Sequence, residues 1–551
     1  MASEQTQFHI FFLPYLVPGH MIPTLDLARL FATRSVKCTI ITTPLNIPFF
    51  AEATKTDSQK LGIEINLLSV KFPYEEPGFP KECKSTQNFF KSIAELQHPF
   101  GALMEEFHPN CLVADFQFPW ANSVAKHLGV PCLSFDVCSY IYPCVSSNLN
   151  RYQPHKEVSS DSEHFVVPGL PHEVKLRRAE LAPYEKGESE KWMIELVDRI
   201  WEGQRECYGV IKNSFYELEP DYADYYENNM GFRHWHIGPL FIYFEGKGNE
   251  CNQVGKKSSI DVEECLRWLD EKRDNSVIYV CFGSMSNVAY GQLDEIARAL
   301  ESLVQNFILV VRNKEDTNGW VLDGFEDKVK GQGLVIRGWA PQRLILEHQA
   351  VGGFVSHCGW NSILEGVVAG LPMVTWPRHA EQFYNEKLVT DVLRIGVPLG
   401  VKGWAGTLDE NGDVIGKDEI ATAISKIVVG KEAEDMRKRA QELKKMARRA
   451  IQEGGSSYSH LTALIEELKA YKIASNGFRS QNITSSTYTS FLTWSLRAHM
   501  IPTLDMARLF ATRNIKSAII STPFNIRSLL QPLNLGVGNG ADYVGFMLAR
   551  L

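Results

Sequence analysis

Several absences narrow what this 551-residue chain can be. No strict Asp-x-Asp triplet occurs, so a metal-clamped diphosphate has no ligand pair to build on. The 11 cysteines include no Cys-x-x-Cys pair. Cys132, Cys138 and Cys144 recur every six residues, which fits neither a zinc site nor a redox motif. Reduced, buried thiols of a cytoplasmic protein are the expectation. No apolar run approaches the ~20 residues needed to span a bilayer. The apolar start, Phe8 to Leu13, is interrupted by Pro14 and follows an acidic leader, unlike a signal peptide. An excess of positive charge is missing too: 57 Lys and Arg face 65 Asp and Glu, a net charge of −8. That argues against nucleic-acid binding and against stable membrane insertion. The basic stretch Arg437 to Arg449 reads as a solvated helix face. We expect a soluble monomer without metal or cofactor.

What is present is a globular composition, 44% apolar and 22% charged, with length for two cores and an appendage. Residues 7–13 read as a buried strand, Ile22 to Arg34 as a helix, and Val36 to Thr43 as a second strand. A β-α-β opening predicts a doubly wound parallel sheet. Ile63–Val70, Cys111–Asp115 and Pro131–Phe135 are further strand candidates, and Gln153 to Lys191 reads as a long surface loop. Residues 241–260 lose periodicity and read as a linker. The pattern then restarts with strands at Val277–Phe282 and Phe307–Val311, and helices at Lys417–Val428, Glu432–Gln452 and Tyr458–Ala470. The expected fold is α/β, two Rossmann-like domains facing across a cleft, over residues 1–240 and 261–471. The tail, 472–551, is a different matter. Residues 499–526 repeat residues 20–47 at 21 of 28 positions. The second copy is expected to lack the strand that precedes His20, and so to form no domain of its own.

The chemistry-bearing residues concentrate between Trp339 and Gln382. A buried strand, Gly353 to Ser356, leads into the polar turn His357-Cys358-Gly359-Trp360 and a helix opening at Asn361-Ser362. Leu371 to Trp376 reads as the next strand. In open α/β sheets ligands sit at the carboxyl ends of strands, against helix N-termini, so this stretch reads as a phosphate-ligand site.

The same stretch resembles the 44-residue donor-binding box of plant family 1 UDP-sugar-dependent glycosyltransferases. It carries W-A-P-Q, H-C-G-W-N-S, a glutamate three residues on, G-L-P-M, W-P and E-Q at the family's spacing. The resemblance extends over about residues 5–470, including FLPYLVPGHMIPTLDLARLFATR and the FGS turn at 282–284. It implies a GT-B fold, with acceptor held mainly by the first domain and nucleotide sugar by the second. Trp339, beside Ala340, offers a flat face for uracil, and Gln342 an amide for base or ribose. His357, Asn361 and the Ser284 turn would meet the diphosphate. Ser362 and Glu365 form an S-x-x-E capping box, a sufficient structural reason for both, whereas the resemblance assigns Glu365 to the ribose hydroxyls. Glu381 and Gln382 would hold sugar hydroxyls, and Trp360 with the terminal Gln leans toward glucose. Glu381 stands where many members carry Asp, and Arg378-His379 where relatives are often apolar.

His20 matches the family's general base and Asp115 the carboxylate that orients it. Mid-strand His9 reads as a satisfied core histidine. Tyr15, Phe118 and Trp120 are candidate acceptor-pocket walls. The implied activity is inverting transfer of glucose from UDP-glucose to a hydroxyl of a small lipophilic acceptor, such as a flavonoid, another phenolic, a terpenoid or a hormone. Two rivals differ in class. One is a non-catalytic UDP-sugar-binding relic, suggested by the repeated tail. The other is a nicotinamide-dependent oxidoreductase, for which no G-x-G-x-x-G follows either opening strand.

Overall fold

Strands without polar interruption need both faces covered, which is the habit of parallel sheets under helices. The chain builds two such sheets. The computed structural model describes residues 7–71, 86–245, 258–283, 288–311, 324–404 and 414–480, with short strands at 489–492, 517–520 and 547–548. In the first half, β1 (His9–Leu13), β2 (Lys37–Thr42), β3 (Ile65–Ser69), β4 (Cys111–Asp115) and β5 (Cys132–Asp136) are consecutive. A hairpin of β6 (His164–Val166) and β7 (Lys175–Arg177) follows, then β8 (Gly209–Lys212) and β9 (His234–His236). The seven-stranded sheet runs 3-2-1-4-5-8-9 and is parallel throughout. Sequence reading missed β8 and β9, which are short and, in β9, carry two histidines.

The second half repeats the plan. Its strands are β10 (Val277–Cys281), β11 (Asn306–Val311), β12 (Gly333–Arg337), β13 (Val351–Ser356), β14 (Met373–Thr375) and β15 (Gly396–Pro398). They form a parallel sheet in the order 12-11-10-13-14-15. In each sheet the strand order reverses beside the first strand, between β1 and β4 and between β10 and β13. Those two switch points are where an open α/β sheet leaves a crevice for ligand.

The division by sequence needs two corrections. Leu240–Phe244 is a buried turn rather than free linker, because Phe241, Ile242 and Phe244 pack into the cores. The helix Ser456–Ser480 belongs with the first half: Leu461, Leu464, Ile465 and Leu468 complete the core formed by Phe31, Ile211 and Trp235. Ser457 Oγ anchors it to the Gly238 carbonyl at 2.6 Å.

Residues Tyr471–Leu551 form a separate unit. Its β16 (Thr489–Leu492), β17 (Ser517–Ile520) and β18 (Met547–Leu548) make a three-stranded sheet. The missing strand is therefore present. Thr489 pairs with Ser517 and Phe491 with Ile519, in parallel. Ile10 pairs with Cys38 and Phe12 with Ile40 in the same register. The repeat thus extends in backbone pairing beyond the stretch of obvious identity.

Candidate active site

Both switch points carry unusual polar residues. After β1 the chain enters the helix Pro18–Ala32, with Pro18 supplying a preset φ at its start, and His20 falls in the first turn. Asp115 is the last residue of β4, next to β1 in the sheet. His20 Nδ1 and Asp115 Oδ2 lie 2.7 Å apart. Asp115 Oδ1 accepts the Gln117 main-chain N–H at 3.0 Å, which fixes the carboxylate. With Nδ1 carrying the proton to Asp115, the Nε2 lone pair is left for another group. Burial pulls the imidazole's pKa down, but the charge and hydrogen bond of Asp115, with Glu381 and Asp136, lift it above the ordinary value. Phe116 lies along the His20 ring at 6.0 Å, a neighbour that sequence reading passed over although it follows Asp115 directly.

Of the candidate acceptor walls, Tyr15 meets His20 at 5.5 Å and Phe118 at 5.7 Å. Trp120 lies one ring further away, edge-on to Phe118 and tilted against Phe100, with its indole N–H donated to the Ile93 carbonyl. Phe118 and Trp120 are both buried in that core. His9 is buried and bonded to Thr39 Oγ1 at 2.8 Å, as expected of a core histidine.

In the second half, β13 ends at Ser356, and the helix Trp360–Ala369 starts from Gly359 without a side-chain cap. Its first N–H groups and dipole favour an anion. His357 is held between two glycines. A Cβ on Gly283, where φ is +74°, would lie 2.5 Å from its ring, and one on Gly359 would lie 2.5 Å from its Nε2. Burial, then His379 and Arg378, push its pKa down to about 3, so the ring is neutral. Its buried Nδ1 has no hydrogen-bond partner. Ser284 lies outside the described residues.

The capping-box reading of Ser362 and Glu365 does not hold. Ser362 lies inside the helix, and both side chains point to Gln342, whose Nε2 donates to Glu365 Oε2 at 2.6 Å and Ser362 Oγ at 3.2 Å. Gln342 Oε1 in turn accepts from the Tyr279 hydroxyl at 3.2 Å. Trp339 is half-buried and pinned through its backbone to Ser259, with Ala340 buried behind it. Glu381 is partly accessible; burial raises its pKa, against its own and the Trp360 main-chain N–H and the charge of His20. Gln382 is buried, its Oε1 accepting the N–H groups of Arg378 and His379. Trp360 is likewise buried and donates its indole N–H to the Asn213 carbonyl at 2.8 Å.

These contacts join the halves. Asn361 Nδ2 donates to the Gly19 carbonyl at 2.7 Å, and Ser139 Oγ to Asn385 Oδ1 at 2.6 Å. The donor-side helix is thereby tied to the turn that bears His20. Among the described residues no cluster of three or more His, Cys, Asp or Glu could hold a metal, and no helix is long and apolar enough to cross a membrane. The nine described cysteines are free, eight of them buried.

Two Rossmann-like halves with an imidazole–carboxylate pair at one switch point and an anion-receptive helix start at the other define a GT-B-type sugar transferase. Comparison with known proteins agrees. Residues 245–411 match the family described as UDP-glucoronosyl and UDP-glucosyl transferase. The chain is 48% identical to scopoletin glucosyltransferase of Nicotiana tabacum, over 84% of this chain and 98% of that protein. It is 46% identical to anthocyanin 3'-O-beta-glucosyltransferase of Gentiana triflora, over 84% and 99%. Among solved structures, Glycyrrhiza uralensis UGT73P12, complexed with glycyrrhetinic acid 3-O-monoglucuronide, superposes with a TM-score of 0.79 at 39% identity, covering 86% of this chain and 98% of that one. The chain belongs to the UDP-glycosyltransferase family, in its plant family 1 branch, and is a transferase.

Proposed function

We propose that this enzyme moves glucose from UDP-glucose to a hydroxyl of a small lipophilic acceptor, by single displacement with inversion. The observation that carries the reading is the 2.7 Å His20–Asp115 pair at the first switch point. His20 Nε2 takes the acceptor's hydroxyl proton as that oxygen bonds to the anomeric carbon. The bond from that carbon to the UDP oxygen breaks, and UDP leaves with the electron pair. Asp115 steadies the imidazolium that forms.

The leaving diphosphate is met by the start of the Trp360–Ala369 helix, with Asn361, and by His357, whose unpartnered Nδ1 suits a phosphate oxygen. These groups supply the stabilisation from the chain itself, so the reading needs no metal or cofactor. Trp339 stacks uracil, with Ala340 beneath. Gln342, Ser362 and Glu365 form a preorganised polar set for the ribose. Glu381 and Gln382 serve the sugar, Gln382 partly by shaping the 378–382 turn. Ser284 is a further candidate ligand of the diphosphate on the resemblance alone. Tyr15 forms an acceptor wall, and Phe118 and Trp120 back it. The glucosyltransferase names of the two relatives support glucose as donor and phenolic hydroxyls as acceptors. All these groups lie in one chain, consistent with a monomer, and the free cysteines suit the reducing cytoplasm.

The test is transfer from labelled UDP-glucose to a panel of phenolic acceptors by the full chain and by His20→Ala. The variant should lose roughly 10²–10⁴-fold in turnover while still binding UDP. A variant that kept most of its turnover would overturn the mechanism, and tight UDP binding without transfer to any acceptor would favour a relic.

A further inference from the structure

The turn that carries His357 is held by an amide from a neighbouring helix. Between β13 and the helix Trp360–Ala369 the chain passes through Cys358, where φ is +66°. A residue with a Cβ keeps that left-handed conformation only where its surroundings fix it. Cys358 is fully buried, and its N–H donates to Ser356 Oγ at 3.2 Å. Its carbonyl accepts from Asn385 Nδ2 at 2.8 Å. Asn385 is also fully buried, in the helix Gln382–Lys387, and its main-chain N–H donates to the Glu381 carbonyl at 3.0 Å.

The other end of the same amide faces the first half. Ser139, just beyond β5, donates its hydroxyl to Asn385 Oδ1 at 2.6 Å. Ser139 is fully buried, and its carbonyl accepts from Lys212 Nζ at 3.0 Å, an ammonium that also meets Asp136 at 2.9 Å. The residue after Lys212, Asn213, takes the Trp360 indole N–H. A side-chain amide donates from Nδ2 and accepts at Oδ1 together, which neither an ionised carboxylate nor an apolar side chain of that size can do. Asn385 thus joins three parts: the sugar-side turn, the turn bearing His357, and the loop after β5, whose neighbour β4 ends in Asp115.

We propose that Asn385 is a positioning residue for the donor's diphosphate. By holding the Cys358 carbonyl it keeps His357 and the opening N–H groups of the Trp360–Ala369 helix aimed at one place before the diphosphate arrives. Its bond from Ser139 ties that turn to the half that carries the base. The inference rests on the reading that the turn receives a diphosphate and adds a residue to it. Both polar ends of Asn385 are taken up by the chain, so it acts on the ligand through Cys358.

The test is UDP affinity by calorimetry, on full-length variants whose circular dichroism matches the wild type. Asn385→Ala should weaken UDP binding by about tenfold or more, because a turn released from its partner must be ordered on binding. Cys358→Gly alone should stay within about threefold of the wild type, since glycine takes a positive φ without steric strain. Added to Asn385→Ala, it should recover about threefold or more of the loss, which a merely structural role for Asn385 would not produce. Ser139→Ala keeps the bond to Cys358, so UDP affinity should stay within about threefold while kcat falls by about tenfold. Where Asn385→Ala gives no folded protein, Asn385→Asp carries the same comparison: it has the same shape and still accepts from Ser139, but when ionised cannot donate to Cys358. An Asn385 variant that folds and binds UDP like the wild type, a loss that Cys358→Gly does not reduce, or a Ser139→Ala enzyme that loses as much UDP affinity overturns the inference. A wild-type enzyme that binds UDP yet glucosylates no acceptor overturns the transfer reading and leaves this inference standing. One that does not bind UDP overturns both.

Discussion

Asn361, in the first turn of the donor-side helix, donates its side-chain amide to the carbonyl of Gly19, the residue before His20. The bond spans the two halves, as do Trp360–Asn213 and Ser139–Asn385. Because Nδ2 is committed to Gly19, losing it should disturb the base more than the nucleotide. Asn361→Ala is expected to lower kcat by about tenfold or more, as small misplacements of a reacting group do. The UDP dissociation constant should change by less, about threefold at most. Steady-state kinetics beside calorimetry of UDP binding separates the two effects.

Asp115 raises the basicity of an imidazole that burial would otherwise weaken. Transfer needs the neutral ring, so kcat/KM should rise with pH through an inflection above the ordinary histidine value of about 6.5. In Asp115→Asn the carboxylate charge is gone and burial dominates, so the inflection should move below that of the wild type. Maximal turnover should also fall by roughly 10²-fold or more, because the tautomer and the imidazolium lose their partner. The linkage has a matching sign in stability. A folded pKa raised above the unfolded one stabilises below pH ~6.5, and the gain is lost as pH rises through the folded value. A pH–rate profile for both proteins checks the prediction, and an unmoved inflection would contradict it.

The parts of the fold that announced themselves were those with one dominant physical signal. β4 spans Cys111–Asp115 and one helix spans Lys417–Val428, the limits that periodicity suggests. His20 and Asp115 were legible because each follows or ends a buried strand. Three things were not legible. β9 carries His234 and His236 on either side of Trp235, its one apolar residue, so it offers no apolar run although Trp235 and His236 are both buried. Glu365 in an S-x-x-E pattern looks like a cap, and only the approach of Gln342 across 23 residues of sequence redirects it. Glu185 sits in a loop whose composition is merely polar, and its bond to the Tyr384 hydroxyl, 199 residues away, leaves no trace in local pattern. Tertiary neighbours, absent from local pattern, decided each case.

Those β9 histidines lead to a prediction about acid stability. His236 stacks on His460 of the Ser456–Ser480 helix at 3.8 Å, and His234 lies 6.0 Å from His236. Burial, then His460, push the pKa of His234 down to about 3 and that of His236 to about 2. Tyr140, which bonds His234 at 2.6 Å, and Lys212, Tyr216 and Glu227 are the other polar groups facing them. Folded values depressed below the unfolded one mean that stability is full above pH ~6.5 and declines as pH falls toward the folded values. Each buried histidine adds a slope of up to about 1.4 kcal/mol per pH unit in that window. Urea unfolding at pH 7 and pH 5 should show the loss, and His236→Phe should reduce it. An equal loss in wild type and variant would place the acid sensitivity elsewhere.

The tail offers the last test. Its repeat carries Asp505 and Arg508 at the positions of Asp26 and Arg29. In the first copy Arg29 is fully buried between Asp26 and Asp57, at 2.8 Å from each. The spacing that leads from Asp26 and Arg29 to Asp57 leads in the tail to Gly536, so the second carboxylate has no counterpart. Ending the chain after residue 480 should leave kcat/KM within about twofold and the melting temperature within a few degrees, since both parallel sheets close within the unit Met1–Ala470. Ending it after residue 455 should abolish folding. That cut removes Leu461, Leu464, Ile465 and Leu468 from the first core, at about 1.5–3 kcal/mol for each large side chain. Against a total stability of about 5–15 kcal/mol, a loss of that size leaves no folded enzyme. Soluble yield, circular dichroism and turnover of the two truncations check the pair of outcomes, and a dead enzyme from the first cut would assign the tail a role in the fold.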